Sequence, residues 1–319
     1  MKISVLGCGR WGSFIGWYLA NHGNAVFQWG MEGDYTYEVL KNTGKNEYVS
    51  LDPKITLTSD LKAAVDHAEL IVISISSQAL RSFMKRVTAF DVSKKTFVLC
   101  MKGIEIETGK RLSEVMIESG ISPEKIAVWV GPGHIQAFTK GQPNCMVIDS
   151  YNKDLVRFLA DYFRSDLIRF YYGDDIIGSE IGAAAKNVMG IAAGMLDGGG
   201  YPTLKGPLMA RGAREVARLI KALGGNEFSA YGLCHLGDYE TTLFSEYSNN
   251  RRFGEMYVKG AKFEKLAEGV STAKAMKFLG EKYGVDLPIT NAVYKIVYEK
   301  QDPMDVLLSL FSRSTRKEF

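Results

Sequence analysis

Apolar and polar positions alternate along the first half of this chain in a way that predicts strands and helices in turn. Residues 2–6 and 25–29 are short, β-prone apolar runs, and residues 13–22 between them have helical character. Near-continuous apolar runs follow at 70–74, 97–101, 127–130 and 145–148, the pattern of parallel strands buried on both faces. Helical segments at 80–87 and 111–118 fit between several of them. Such alternation predicts an α/β fold with a doubly wound parallel sheet, which takes its ligands at the carboxyl ends of the strands. Beyond about residue 175 the pattern is helical only, with segments expected at 180–197, 207–223, 263–266, 272–283, 289–299 and 303–312. The expected organisation is a sheet domain over 1–175, a boundary near Tyr172-Gly173-Asp174, and an all-α domain over 176–319.

The first strand runs into Gly7-Cys8-Gly9-Arg10-Trp11-Gly12 and then into the first helix. In a strand–turn–helix context this G-x-G-x-x-G marks a Rossmann-type, dinucleotide-binding domain. Gly7 permits the tight turn, Gly9 the approach of a pyrophosphate, and Gly12 close packing of helix on strand. The phosphates would lie on the helix N-terminus, where N–H groups and the dipole favour anions. Glu32 follows Gly12 by about twenty residues, where an acid accepts hydrogen bonds from an unphosphorylated ribose. No arginine lies between Trp29 and Tyr35 to meet a 2′-phosphate, so NAD is favoured over NADP. Lys102 and the run Gly131-Pro132-Gly133-His134 stand at the ends of later strands, which makes both candidates for the ligand crevice.

One stretch of the helical half carries chemistry. Between Glu180 and Asp197 every residue is apolar or glycine except the adjacent pair Lys186 and Asn187. A helix apolar on all sides is buried, and a buried ammonium gives up its proton more readily than a solvated one. Lys186 is therefore a candidate acid–base group. The plainer alternative is a lysine whose stem packs while its head reaches solvent.

Composition excludes more than it assigns. The 319 residues suffice for two domains, and 46% apolar with 24% charged residues is ordinary for a globular protein. A net charge of +3, with no strongly basic tract except the tail at 313–317, predicts neither nucleic-acid nor membrane binding. Cys8, Cys100, Cys145 and Cys234 are scattered without a C-x-x-C pair, so neither a disulfide framework nor a metal site is expected. The strand pattern begins at once, which leaves no room for a signal peptide. The central Lys-Asn pair argues against a membrane span at 180–197. A cytoplasmic protein acting on a small molecule is expected.

Further motifs follow in order: Asn46-Glu47-Tyr48-Val49, Lys102-Gly103-Ile104-Glu105, Asp197-Gly198, Arg211-Gly212 and Leu236-Gly237-Asp238. After these come Asn250-Arg251-Arg252-Phe253-Gly254, Ala267-Glu268-Gly269-Val270, Thr272-Ala273-Lys274 and Pro288-Ile289-Thr290. With the glycine turn and the 180–187 stretch, the ordered set resembles the bacterial-type NAD(P)-dependent glycerol-3-phosphate dehydrogenases over nearly the whole chain. The resemblance implies interconversion of sn-glycerol 3-phosphate and dihydroxyacetone phosphate by hydride transfer at C2, supplying glycerophospholipid synthesis. It implies Lys186 as proton donor and acceptor, Lys102 as a second active-site lysine, and Asp238 as the acid bonded to substrate and lysine. Cofactor positions fall on Gly7, Gly9, Arg10, Trp11, Gly12, Glu32, Lys102, Ile135, Asn249 and Glu268. Substrate positions fall on Lys102, Gly131, Gly133, Lys186, Asn187, Asp238, Thr242, Ser248, Asn249 and Asn250. The helical domain would also offer a homodimer surface.

Hydride reduction of a ketone leaves an alkoxide, which needs a nearby proton and a positive field; two lysines meet that need without a metal. The departures from the family pattern lie on the substrate side. Asn249 stands where the family carries an arginine that grips the substrate phosphate, and asparagine is a poor substitute for a bidentate guanidinium. Gly133 replaces a Ser or Thr hydroxyl, Gln136-Ala137 replaces a charged pair, and residues 201–204 replace an Asp-Asn stretch. These changes keep open a divergent member acting on another small 2-keto or 2-hydroxy compound. A dinucleotide-responsive binding protein without turnover is the third alternative.

Overall fold

A computed structural model describes every residue of the chain except Arg316 and Phe319, so the Arg316 part of the basic tail lies outside the described residues. The strands are β1 (Lys2–Leu6), β2 (Ala25–Trp29), β3 (Ile55–Thr58), β4 (Leu70–Ile73), β5 (Thr96–Leu99), β6 (Ile126–Val130), β7 (Asn144–Ser150) and β8 (Ile168–Tyr172). They form one sheet in the order β3-β2-β1-β4-β5-β6-β7-β8. The order reverses between β1 and β4, the topological switch point at which open α/β sheets bind ligands. The glycine turn leaves β1 at that point. Helix Arg10–Asn21 then packs back onto the sheet, and its Phe14, Ile15 and Leu19 join Trp129, Met146 and Phe163 in the core.

The expected doubly wound sheet is present, with two corrections. First, β7 pairs antiparallel with β6, although the 145–148 run was expected among the parallel strands; β8 then follows β7 in parallel. A parallel return needs a long crossover, usually through a helix, and the link from β6 to β7 holds only the four-residue helix Ile135–Phe138. Second, β3 and β8 have no counterpart among the apolar runs. Both lie at sheet edges, where one face meets solvent, so they alternate: Arg169 is exposed between buried Ile168 and Phe170. The central strands β4 and β6 are buried at every residue.

The chain forms two compact units, residues 1–102 with 110–180 and residues 103–109 with 181–319. Among the described residues the second unit is built of helices and turns, including Lys205–Ala222, Asn249–Val258, Glu268–Tyr283, Pro288–Tyr298 and Pro303–Ser309. The helix expected at 263–266 is absent, and those residues form a loop. A helix that short forms only where packing offsets the cost of nucleation, and residues 264–266 are exposed. The long helix Ile176–Gly198 carries small residues where others approach it. A Cβ on Gly194 would lie 1.8 Å from the Arg251 carbonyl oxygen, and one on Gly254 would lie 2.1 Å from that of Ile191. Buried Glu215 caps the start of Pro288–Tyr298, accepting from the Ile289 and Thr290 amides at 2.7 and 2.9 Å.

Candidate active site

In the first unit the three glycines of the turn are required for different reasons. Gly7 has φ of +120°, and a Cβ there would lie 2.1 Å from the Ser74 carbonyl oxygen; a Cβ on Gly12 would lie 2.0 Å from that of Gly7. A Cβ on Gly9 would meet nothing within 4 Å, so the space there is open. Gln28, on β2, donates to the Gly7 carbonyl at 2.6 Å and fixes the turn from below. Helix Arg10–Asn21 begins with neither a side-chain cap nor an acid in its first turn, which leaves its N-terminal dipole to an external anion. The buried indole N–H of Trp11 has no hydrogen-bond partner among the described residues. An open cradle, an uncapped helix start and an orphaned donor fit a dinucleotide.

The neighbouring loops are braced. Asn46 Oδ1 accepts from the amides of Tyr48 and Val49, both at 2.9 Å, and the turn brings the Tyr48 ring under the Arg10 guanidinium. Glu32 is exposed, with Lys41 3.9 Å away. Lys102 Nζ donates to the Gly131 carbonyl at 2.7 Å, tying the ends of β5 and β6 together. Gly133 has φ of +158°, and a Cβ there would lie 2.3 Å from the Phe138 ring; the missing hydroxyl thus has a packing cause. Ile135 is buried in the core beside Phe14 and Phe138, so any cofactor contact it makes passes through its main chain.

In the second unit Lys186 is 8% exposed and Asp238 1%. Lys186 Nζ lies 2.9 Å from Asp238 Oδ2 and donates to Thr242 Oγ1 at 2.8 Å. Asp238 Oδ1 accepts from the hydroxyls of Thr241 and Thr242. Both threonines sit on a π-helical turn, Glu240–Phe244, a wide turn that recurs at functional sites. The ammonium therefore ends on a buried carboxylate, and the solvent-reaching alternative for Lys186 is not what the fold adopts. Breaking such a pair by removing one partner costs about 3–5 kcal/mol.

Beside Lys186, Asn187 Oδ1 accepts from Asn250 Nδ2 at 3.0 Å, and Asn250 Oδ1 accepts from the Gly269 amide at 2.9 Å. This pair joins three helices and sets Glu268, the first residue of Glu268–Tyr283, next to them. Ser248 caps Asn249–Val258 through the Arg251 amide. Asn249, half-buried, donates to the Leu266 carbonyl at 3.3 Å. Neither following arginine takes over a guanidinium role there. Arg251 is bound to Asp197 at 2.6 Å and Glu255 at 3.2 Å, and Arg252 lies over the Phe263 ring.

The fold thus gathers Lys186, Asp238 and Thr242 into one cluster with Asn187, Asn250 and Glu268 at its side, while Glu32 stands in solvent. Two contributors escaped the sequence. Gln28 was signalled only as the lone polar residue of an otherwise apolar strand, and Thr241 by nothing short of the π turn.

Comparison with known proteins bears on the same residues. The model for the N-terminal part of NAD-dependent glycerol-3-phosphate dehydrogenase matches residues 2–156, and the C-terminal model matches 175–308. The glycerol-3-phosphate dehydrogenase (NAD(P)+) of Prosthecochloris aestuarii is 36% identical over 100% of both chains. That of Moorella thermoacetica is 36% identical over 99% of this chain and 97% of its own. The crystal structure of the Coxiella burnetii glycerol-3-phosphate dehydrogenase superposes with a TM-score of 0.89 at 27% identity, covering 98% of each chain. D-mandelate dehydrogenase, at 18% identity and a TM-score of 0.64, shares the fold. With matching models over both halves and relatives alike from end to end, the chain belongs to the NAD-dependent glycerol-3-phosphate dehydrogenase family.

Proposed function

We propose that this chain interconverts sn-glycerol 3-phosphate and dihydroxyacetone phosphate with NAD or NADP, supplying glycerophospholipid synthesis, and that Lys186 is its proton donor and acceptor. The observation that carries the chemistry is the buried Lys186–Asp238–Thr242 cluster. The dinucleotide, with its phosphates on the glycine turn, would supply or take the hydride at C2 through its nicotinamide. Lys186 then gives a proton to the alkoxide oxygen, or removes one from the hydroxyl in the reverse direction. Asp238 and Thr242 fix the orientation of the ammonium, so the proton moves along a set direction. Lys102 is the second cation at the substrate, and Gly131, Gly133, Asn187, Ser248, Asn249 and Asn250 line the remainder. Residues 1–175 bind the dinucleotide, with Gly7, Gly9, Arg10, Trp11 and Gly12 at its phosphates, Glu32 at its ribose, and Ile135 also in contact. Residues 176–319 bind substrate, with Asn249 and Glu268 reaching the cofactor.

The test is NADH and NADPH oxidation with dihydroxyacetone phosphate. Turnover is expected in the native enzyme and lost in Lys186→Ala; normal turnover by that variant would sink the assignment. A second reading, another small 2-keto or 2-hydroxy substrate, is favoured by Asn249 and by the commitment of Arg251 to Asp197 and Glu255. A ketone panel separates the two. Among the described residues no helix is long and apolar enough to cross a membrane; the proposed cytoplasmic setting is supported by the likeness to bacterial glycerol-3-phosphate dehydrogenases. A homodimer through the helical unit completes the proposal, and sedimentation equilibrium tests it.

A further inference from the structure

The turn that carries Asp238 is flanked by two fully buried side chains that the proton chemistry leaves unused, His235 and Tyr239. His235 Nδ1 lies 2.9 Å from the Gly182 carbonyl oxygen, and its Nε2 lies 2.6 Å from the Tyr239 hydroxyl. A carbonyl only accepts, so Nδ1 carries the proton and Nε2 accepts from Tyr239. Burial agrees with that tautomer. It pushes the imidazole down to about 4, with Asp238 and Lys186 acting on it in opposite senses, and it holds the Tyr239 hydroxyl well above its ordinary value. The imidazole is neutral and the phenol keeps its proton.

Each side chain sits in a socket left by a glycine. A Cβ on Gly182 would come within 3.1 Å of His235 Cβ, and one on Gly212 within 3.0 Å of the Tyr239 hydroxyl. The Gly182 carbonyl belongs to the helix of the lysine, where it also receives the amide four residues on, that of Lys186. Asp238 closes its own turn by donating its amide to the His235 carbonyl at 3.0 Å. The carboxylate is thus bracketed, three residues before and one after, by groups locked to each other and to the helix backbone one turn before Lys186.

We infer that His235 and Tyr239 are positioning residues, whose hydrogen-bonded bridge from the Gly182 carbonyl sets the Asp238 carboxylate against the Lys186 ammonium. The inference rests on the proposed role of Lys186, and its test separates the two. Steady-state reduction of dihydroxyacetone phosphate by NADH, NADH binding by fluorescence, and thermal unfolding are measured for Tyr239→Phe, His235→Leu, His235→Asn and Lys186→Ala. Tyr239→Phe is expected to lower kcat about 10-fold and His235→Leu about 50-fold, the range that a misplacement of about 1 Å costs. Kd for NADH should stay within about 2-fold, since the cofactor positions are untouched, and KM for the ketone should change less than kcat. In His235→Asn the amide N–H can replace the ring N–H on Gly182, so kcat should recover to within about 5-fold of the native value. Undiminished kcat in both Tyr239→Phe and His235→Leu, beside an inactive Lys186→Ala, overturns the positioning role alone. So does a lowered unfolding temperature with kcat intact, or no recovery in His235→Asn. Should His235→Leu fail to fold, Tyr239→Phe decides. Normal turnover by Lys186→Ala removes the proton-donor assignment instead.

Discussion

In the glycine turn of the first unit the chain makes room by omitting side chains, whereas around Lys186 the second unit fills space with them. At Gly7 and Gly12 a single added carbon would strike backbone, at 2.1 and 2.0 Å, and the groups left for a ligand are amides and one indole N–H. At Lys186 the functional groups are side chains, and their chemistry depends on being buried together with the right partners. A backbone-built site tolerates almost no added volume but little depends on its side-chain identities. A side-chain-built site tolerates conservative changes of shape and fails when a charge loses its partner.

The largest break in that comparison is expected from Lys186→Ala. It removes the proposed proton source and leaves Asp238 buried without its cation, so kcat should fall about 10³-fold, within the range general acid–base catalysis supplies. NADH binding, measured separately, should survive. Asp238→Asn comes next, with kcat reduced about 10²-fold, because the ammonium loses the carboxylate charge that holds it. A glycine pair sharpens the other side. Gly9→Ala should leave the unfolding temperature unchanged while weakening NADH about 10-fold, a loss of about 1.4 kcal/mol. Gly12→Ala should lower both, since its Cβ meets the chain's own backbone. Equal stability loss in the two variants would show that Gly9 serves the fold and not a ligand.

Smaller effects are expected at half-buried Asn249 and exposed Glu32. Asn249→Arg should raise kcat/KM for dihydroxyacetone phosphate about 5-fold by adding a phosphate-binding guanidinium; no gain would remove the motive for a divergent substrate. Glu32→Ser should shift the NADH-to-NADPH preference about 3-fold toward NADPH. An unchanged ratio would leave Glu32 as a solvated loop residue.

Legibility in the sequence followed burial. β4 and β6, apolar throughout, were readable as runs; β3 and β8, half-exposed at the edges, were not. The direction of β7 was hidden because strand composition reports burial and says nothing about which way a neighbour runs. Lys186 could be singled out because its helix is otherwise apolar. His235 and Tyr239 could not, since a histidine and a tyrosine four apart give no sign that a glycine on another helix has left a socket for them.

What the sequence determined by itself was periodicity and local demand: the strand–turn–helix opening, the glycines of its turn, and a lysine set in an otherwise apolar helix. What only the tertiary structure decided was partnership. It placed Asp238 and Thr242 on Lys186 and committed Arg251 to Asp197. The physical reason is that spacing along a chain constrains neighbours within a turn or two, whereas these contacts join residues tens of positions apart, whose meeting depends on how whole helices pack.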